Sequence, residues 1–502
     1  MDISRRRFLT VAASSSILAY AGRSLLAQPS SSTRVRFDAY SPEGKAMLRL
    51  YAAAVKKMKT LPEGHPHNWN FQWYTHWVRG TEINNATKVA EIQRIYTSPS
   101  AWKTLAEEMW NTCQGHGPGM DPDLFLPWHR AYLHCFEDIV RNLSGEESFT
   151  LPYWNYSTTD ESRRGKIPPE FRQEGHADFG SLYVKDRNPG VNAGRPIHKD
   201  QNGNDLPGDR LNTGALSQCT YQRQGALPGF CRALDGGLHG HVHVLLGTRT
   251  NMGFVPTAAN DPIFWLHHSN IDRLWASWNA AGRKNPQIRR DFVFANRSAE
   301  RVVLNAGAFL EMSKLDYRYD QLESVPKCPE DEGGMVARRM KMNVVANVPA
   351  VAAQLTSEPV TVKLRPAPPP GGNGMALAPF VAGLPPQQRL LLIVDGLKTN
   401  QQPGVLYDIF LELPDNADQA KRNAHYVGSI NFFDAQEHDH GHAGGEVAHD
   451  DGRFLSFDVT KLMKELANKD ALAAEPTLTI APAGTPAGDA RPVVGALRLV
   501  QQ

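Results

Sequence analysis

Asp261-Pro262-Ile263-Phe264-Trp265-Leu266-His267-His268-Ser269-Asn270-Ile271-Asp272-Arg273-Leu274-Trp275 is the stretch whose reading decides the fold. Asp261 is a good helix cap, because its carboxylate can accept from the first free amides, and Pro262 suits a first turn that needs no amide donor. Beyond this start the segment is apolar nearly all round, the pattern of a helix buried inside a larger helical body. Phe264, His268, Ile271 and Trp275 share one face; Ile263, His267, Leu274 and Trp278 share another. A buried imidazole needs partners for its ring nitrogens, and a metal ion is one. Periodicity alone does not choose between His267 and His268.

Two further segments repeat the theme. In Phe125-Leu126-Pro127-Trp128-His129-Arg130-Ala131-Tyr132-Leu133, a helix reading places His129 on the face of Leu133, Phe136, Val140 and Leu143. His134 lies about 140° round that helix at ~3.6 residues per turn and reads as an ordinary histidine. In Leu238-His239-Gly240-His241-Val242-His243-Val244, His239 and His243 stand one turn apart on one face, a natural bidentate spacing, whereas His241 points away.

Outward from these segments the chain divides. Residues 35–325 read as one mainly helical unit, opened by a helix near residues 40–59 and interrupted at 160–216 by long Gly-, Pro- and Asn-rich loops. Residues 326–387 read as a linker region, on the strength of Pro366-Ala367-Pro368-Pro369-Pro370-Gly371-Gly372. Residues 388–502 carry short β-rich runs at 390–394, 405–413, 426–433, 454–459 and 477–480, separated by turn residues, and read as a small β-sandwich and a candidate lid. The fold class is therefore mainly α: a helical bundle with long loops, followed by a β-sandwich.

The 502 residues are 41% hydrophobic and carry a formal net charge of only +2, which argues against nucleic acid or an anionic membrane as partner. At the N-terminus, Ser4-Arg5-Arg6-Arg7-Phe8-Leu9-Thr10 resembles the twin-arginine export signal, followed by an apolar stretch too short to span a bilayer. Residues 1–27 are read as a leader and the mature chain as periplasmic or secreted, with no membrane anchor after its removal. Five cysteines exclude a fully paired set, and Cys219 and Cys231, which enclose a Gly- and Pro-containing loop, are candidates for a disulfide.

The segment at 261–272 resembles the copper B signature of tyrosinases, catechol oxidases and haemocyanins: Asp-Pro-x-Phe, three further residues, the ligand histidine, then an acid four positions on. That register picks His268, with Asp272 as the acid. The segment at 125–137 resembles the copper A signature and makes His129 a ligand; His239 and His243 match the paired ligands of copper B. The resemblance implies two more copper A histidines. His76, on the helical stretch that begins Trp69-Asn70-Phe71-Gln72, fits the first, and His116, the only histidine shortly before Phe125, fits the middle one. Six imidazoles around two copper ions suit both oxidation states of copper, and three per metal leave positions free for O₂.

The same resemblance implies roles for neighbouring residues. Asp235 stands where relatives carry a water-orienting Glu, Gly240 where phenol-hydroxylating members often carry Asn, and Val255 where a side chain overhangs the copper. In some relatives a cysteine is bonded to the middle copper A histidine, and Cys113 precedes His116. Tyr317-Arg318-Tyr319 resembles the motif that closes the family's core, and the C-terminal part resembles the tail of plant polyphenol oxidases, which can cover the copper site. The implied activity is oxidation of o-diphenols to o-quinones with O₂, and o-hydroxylation of monophenols beside it; the substrates are small phenols, and a homo-oligomer is compatible. A catechol oxidase lacking the monophenol step, a haemocyanin-like O₂ carrier and a zinc hydrolase are the competing readings. The histidine-rich run Glu437-His438-Asp439-His440-Gly441-His442 reads as a solvated loop or a weak copper site.

Overall fold

The computed structural model describes residues 33–78, 88–115, 120–328, 342–348, 353–367, 376–436 and 454–502. The leader, His116, most of the Pro-rich run and the histidine-rich run lie outside the described residues.

The core is built on buried helices. Helix α1 (Pro42–Thr60) opens at Ser41, whose side chain accepts from the Gly44 amide, and buries Leu48, Tyr51 and Val55. Helix α2 (Trp69–His76) is capped by Asn68. Helix α3 (Phe125–Ser144) stops where Gly145 takes a left-handed φ of 72°. Helix α4 (Gly240–Leu246) follows a π-helical turn at Asp235–His239, in which Gly237 leaves helical geometry. Helix α5 (Ile263–Ala280) is buried at every position from Ile263 to Trp278, as its all-round apolar pattern requires. Its cap acts from just outside: Asp261 Oδ1 accepts from the Ile263 amide at 3.1 Å, and the same carboxylate is paired with buried Arg187. Helices α3 and α5 pack through Phe136 stacked on Trp265 at 3.4 Å.

A buried charge network fixes these two helices. Strand β1 (Arg34–Arg36) pairs in parallel with β2 (Tyr317–Tyr319), so the ends of the core meet. Asp272 on α5 accepts from Arg130 on α3, from Arg36 at 3.1 Å, and from the hydroxyls of Tyr317 and Tyr319 at 2.7 and 2.6 Å. Arg36 reaches on to Glu137 at 2.8 Å. The Tyr-Arg-Tyr motif thus closes the core by holding the helix that carries His267 and His268.

The C-terminal region is a two-sheet sandwich. Strands β3 (Asn343–Asn347), β4 (Val360–Lys363) and β5 (Arg365–Pro366) come first. They are followed by β6 (Leu390–Asp395), β7 (Tyr407–Leu411), β8 (Tyr426–Ile430), β9 (Leu455–Asp458), β10 (Thr477–Pro482) and β11 (Ala496–Gln501). One sheet runs β8-β7-β10-β4 and the other β9-β6-β11-β3-β5. Strand β6 is apolar from Leu390 to Val394 because both of its faces are covered: Leu390, Leu392 and Val394 enter the sandwich core, while Leu391 and Ile393 pack with Ala226 of the helical part. The stretch read as linker over 326–387 therefore supplies strands from Asn343 onward, and Val345 on β3 and Leu364 between β4 and β5 belong to the sandwich core.

The disulfide expectation needs correction. Cys219 pairs with Cys328, across a Cα–Cα distance of 5.9 Å. Cys231 is a buried free thiol on the short helix Gly229–Leu234, with its Sγ donating to the Pro122 carbonyl at 3.3 Å. It is fully buried, whereas the half-buried Cys219 is already bonded to Cys328. No helix among the described residues is long and apolar enough to cross a membrane.

Candidate metal centre

Helices α2, α3, α4 and α5, with the π-helical turn before α4 and the segment at Cys113, bring two groups of donors together inside the core. His76, Cys113 and His129 form one, and His239, His243, His267 and His268 the other; all seven are buried. The groups face each other where the His129 and His268 rings stack at 4.2 Å, 6° from parallel.

Three of the rings are oriented from behind. His129 Nδ1 lies 2.8 Å from the Phe125 carbonyl oxygen and His243 Nδ1 2.8 Å from that of Met252. His239 Nδ1 lies 2.9 Å from Asp235 Oδ1. Such contacts place the proton on Nδ1 and leave Nε2 as the donor to a metal. The Nε2 atoms of His239 and His243 are 3.1 Å apart. Two nitrogens each about 2.0–2.1 Å from one ion would stand about that far apart. His267 and His268 have no hydrogen-bond partner on either ring nitrogen among the described residues. Burial, reinforced by neighbouring imidazoles, depresses the pKa of His76 to about 3 and holds His129, His267 and His268 well below the ordinary range. These four rings are therefore neutral, the form that binds metal. Buried, neutral, convergent nitrogens with no carboxylate donor among them fit copper.

The nearby residues are placed less uniformly. Asp235 contacts the His239 ring directly. Val255 is buried, with its main-chain oxygen set against His76. Gly240 begins α4, and a Cβ there would stand 2.6 Å from the Asn431 side chain of the C-terminal region. Cys113 Sγ is 3.6 Å from His129 Nε2, so this thiol belongs with His76 and His129; burial raises its pKa and keeps it protonated. His241, turned away from the donors, lies between the main-chain oxygens of Arg210 and Ser429.

One contact has no signal in the sequence. Phe433, just beyond β8, stacks on the His243 ring at 4.1 Å and 14°, and stands edge-on to His239 at 5.8 Å. Its amide donates to Asn431 Oδ1, Asn431 Nδ2 donates to the Gly236 carbonyl at 2.7 Å, and its own carbonyl accepts from Gln402 at 2.9 Å. A phenylalanine in a β-rich run reads as sandwich core; only the docking of the tail turns it toward the histidines.

The family model for the common central domain of tyrosinase matches residues 66–281, the part that holds every donor described above. The tyrosinase HcTyr1 of Hahella sp. is 30% identical over 454 residues, spanning 84% of this chain and 90% of that protein. The chain belongs to the tyrosinase and polyphenol oxidase family. Chloroplastic polyphenol oxidase A1 of Vicia faba is 25% identical, over 86% of this chain and 72% of its own. The fold of this tyrosinase-family chain matches latent apple tyrosinase at a TM-score of 0.60 and 19% identity, covering 95% of this chain and 98% of that one. A second model, described as a domain of unknown function (DUF7868), matches residues 343–502, and its start coincides with β3. This family member is a copper-dependent oxidoreductase of phenolic compounds, and its two donor clusters are those of a dicopper site.

Proposed function

We propose that this enzyme oxidises o-diphenols to o-quinones with O₂, and that it hydroxylates monophenols more slowly. Two diphenols and one O₂ give two quinones and two waters. The observation that carries the reading is the stacking of His129 on His268, which sets the two donor groups face to face. His76, His116 and His129 would hold copper A, and His239, His243 and His268 copper B. Bound copper supplies the redox chemistry with O₂. The protein keeps His76, His129 and His268 neutral, orients His239 through Asp235, and excludes water with the aromatic walls Phe125 and Phe264. Monophenol hydroxylation also requires the phenol to lose its proton. Asp235 is the carboxylate at hand, but it is engaged with His239 and Gly240 adds no acceptor, which is why the diphenol reaction leads.

Phe433 stands in the way of a ring approaching His243, so the tail restrains the enzyme until it is displaced. The apple enzyme of like fold is described as latent. Export by the twin-arginine route fits the leader, and the Cys219–Cys328 disulfide fits an oxidising compartment. The cover over His243 also favours one rival reading, an O₂-binding protein that never turns phenols over. The test is to load the full chain and a Phe433→Ala variant with copper, count the metal, and assay a small o-diphenol. Two coppers per chain, slow quinone formation by the full chain and faster formation by the variant are expected. Two coppers with no quinone from either protein would favour the carrier; fewer coppers would sink the dicopper assignment.

A further inference from the structure

The tail meets the core through a buried polar network beside the donors. Arg210, from the core's long loops, and Asp408, on β7, form an ion pair at 2.5 Å with both side chains 1% exposed. The other Asp408 oxygen accepts from Ser429 Oγ at 2.6 Å, and that hydroxyl also bonds the Tyr426 hydroxyl at 2.7 Å. Ser429 lies on β8, four residues before Phe433. Its main-chain oxygen is 3.1 Å from His241 Nε2, and the Arg210 main-chain oxygen is 3.3 Å from His241 Nδ1. The core is cut to receive these groups: a Cβ at Gly208 would stand 2.1 Å from the Tyr426 ring.

A buried ion pair contributes little net stability, because desolvation offsets its attraction. Burying either charge without the other is heavily penalised. An interface with such a pair at its centre is closed or open, with no comfortable half-docked state. We propose that Arg210 and Asp408 are the lock of the tail, holding β8 and hence Phe433 over the copper B histidines. Ser429 and Tyr426 orient the Asp408 carboxylate. His241, turned away from the ligands, sits between the core side of the lock and the strand that carries Phe433, with one ring N–H to donate to either main-chain oxygen. This inference rests on the reading that Phe433 restrains the site.

The test uses the copper-loaded full chain and the variants Asp408→Asn, Arg210→Met, the double variant Arg210→Met/Asp408→Asn, and Phe433→Ala. The readouts are the rate on a bulky o-diphenol, the SDS concentration at half-activation, copper content, and the far-ultraviolet circular dichroism. Either single variant is expected to raise the unstimulated rate at least fivefold and lower the half-activating SDS concentration, with copper and circular dichroism unchanged. The double variant is expected to close again in part, because no charge is then buried alone. A double variant at least as open as the singles would assign the effect to general loosening and overturn the lock. So would single variants that stay latent while Phe433→Ala is active, and so would activation accompanied by loss of β signal. If Phe433→Ala is itself no faster than the parent, the restraint reading fails first, and the lock fails with it.

Discussion

His267 and His268 are adjacent on α5, both fully buried, and both within reach of His239 and His243. What separates them is direction. His268 stacks on His129, across the gap between the two donor groups, whereas His267 stacks on His239 at 5.3 Å and lies against Tyr156. We therefore expect His268→Ala to abolish diphenol oxidation and to lose one copper, while His267→Ala keeps measurable activity and both metals. The reverse pattern would mean that the register taken from Asp272 is wrong. Gly240 makes a second residue-level case. An added Cβ would press on Asn431, which cannot swing aside without giving up its bonds to Gly236 and Phe433. Overpacking of this kind costs about 1–3 kcal/mol, roughly a five- to hundredfold shift in an equilibrium. Gly240→Ala should then favour the open tail: a higher rate without detergent and a lower SDS requirement, measured at equal copper content. An unchanged latency would show that Asn431 gives way freely.

The elements were the legible part of the chain. Caps and periodicity announced α1, α3 and α5, and the turn-bounded runs at 390–394, 426–433 and 454–459 announced strands, because both signals are local. What stayed hidden depends on which elements meet. Glu137 lies within a helical pattern, yet its role is set by β1, which delivers Arg36 from a hundred residues away. Burial alone would push the Glu137 carboxyl up, but Arg36, Arg141 and the Leu151 amide outweigh it and hold its pKa at about 2, below the ordinary 4.5. The sign follows: this stabilisation is fully present above pH 4.5 and is lost as pH falls towards 2. Glu137→Gln leaves two buried guanidiniums short of a partner, a loss of about 3–5 kcal/mol. The variant should melt at lower temperature at pH 7, and the difference from the parent should shrink below pH 4.5, where the unfolded parent takes up a proton that folded Glu137 accepts only near pH 2. A constant difference between pH 7 and pH 3 would remove Glu137 from the ledger of acid sensitivity. The disulfide was hidden for the same reason, since Cys328 reaches Cys219 only once the end of the core has folded back.

At the scale of the molecule, the tail is a separate sandwich that lends Leu406 and Phe433 to the core's own apolar cluster. The sequence reads residues 326–387 as linker on the strength of the Pro-rich run at 366–372, because composition marks flexibility and says nothing of strand pairing. In the folded chain β3 pairs with β11, and β4 pairs with β10, so the strands before the Pro-rich run belong with those after it. A chain ending at residue 370 would keep β3 and β4 without their partners β11 and β10 and present bare edges to other chains. A chain ending near residue 340 would remove the whole sandwich and still retain Cys328 for its bond to Cys219. The shorter chain is therefore expected to be the better behaved of the two. It should hold two coppers and oxidise o-diphenols faster than the full chain, with a larger gain for bulky substrates than for small ones, because Phe433 excludes by size. The chain ending at 370 should aggregate or be recovered in low yield. Side-by-side expression, metal analysis and rates on a small and a bulky diphenol decide the matter. If the chain ending near 340 is insoluble or copper-poor, and mild protease never raises the rate of the full protein, the sandwich is completing the fold and not restraining the site.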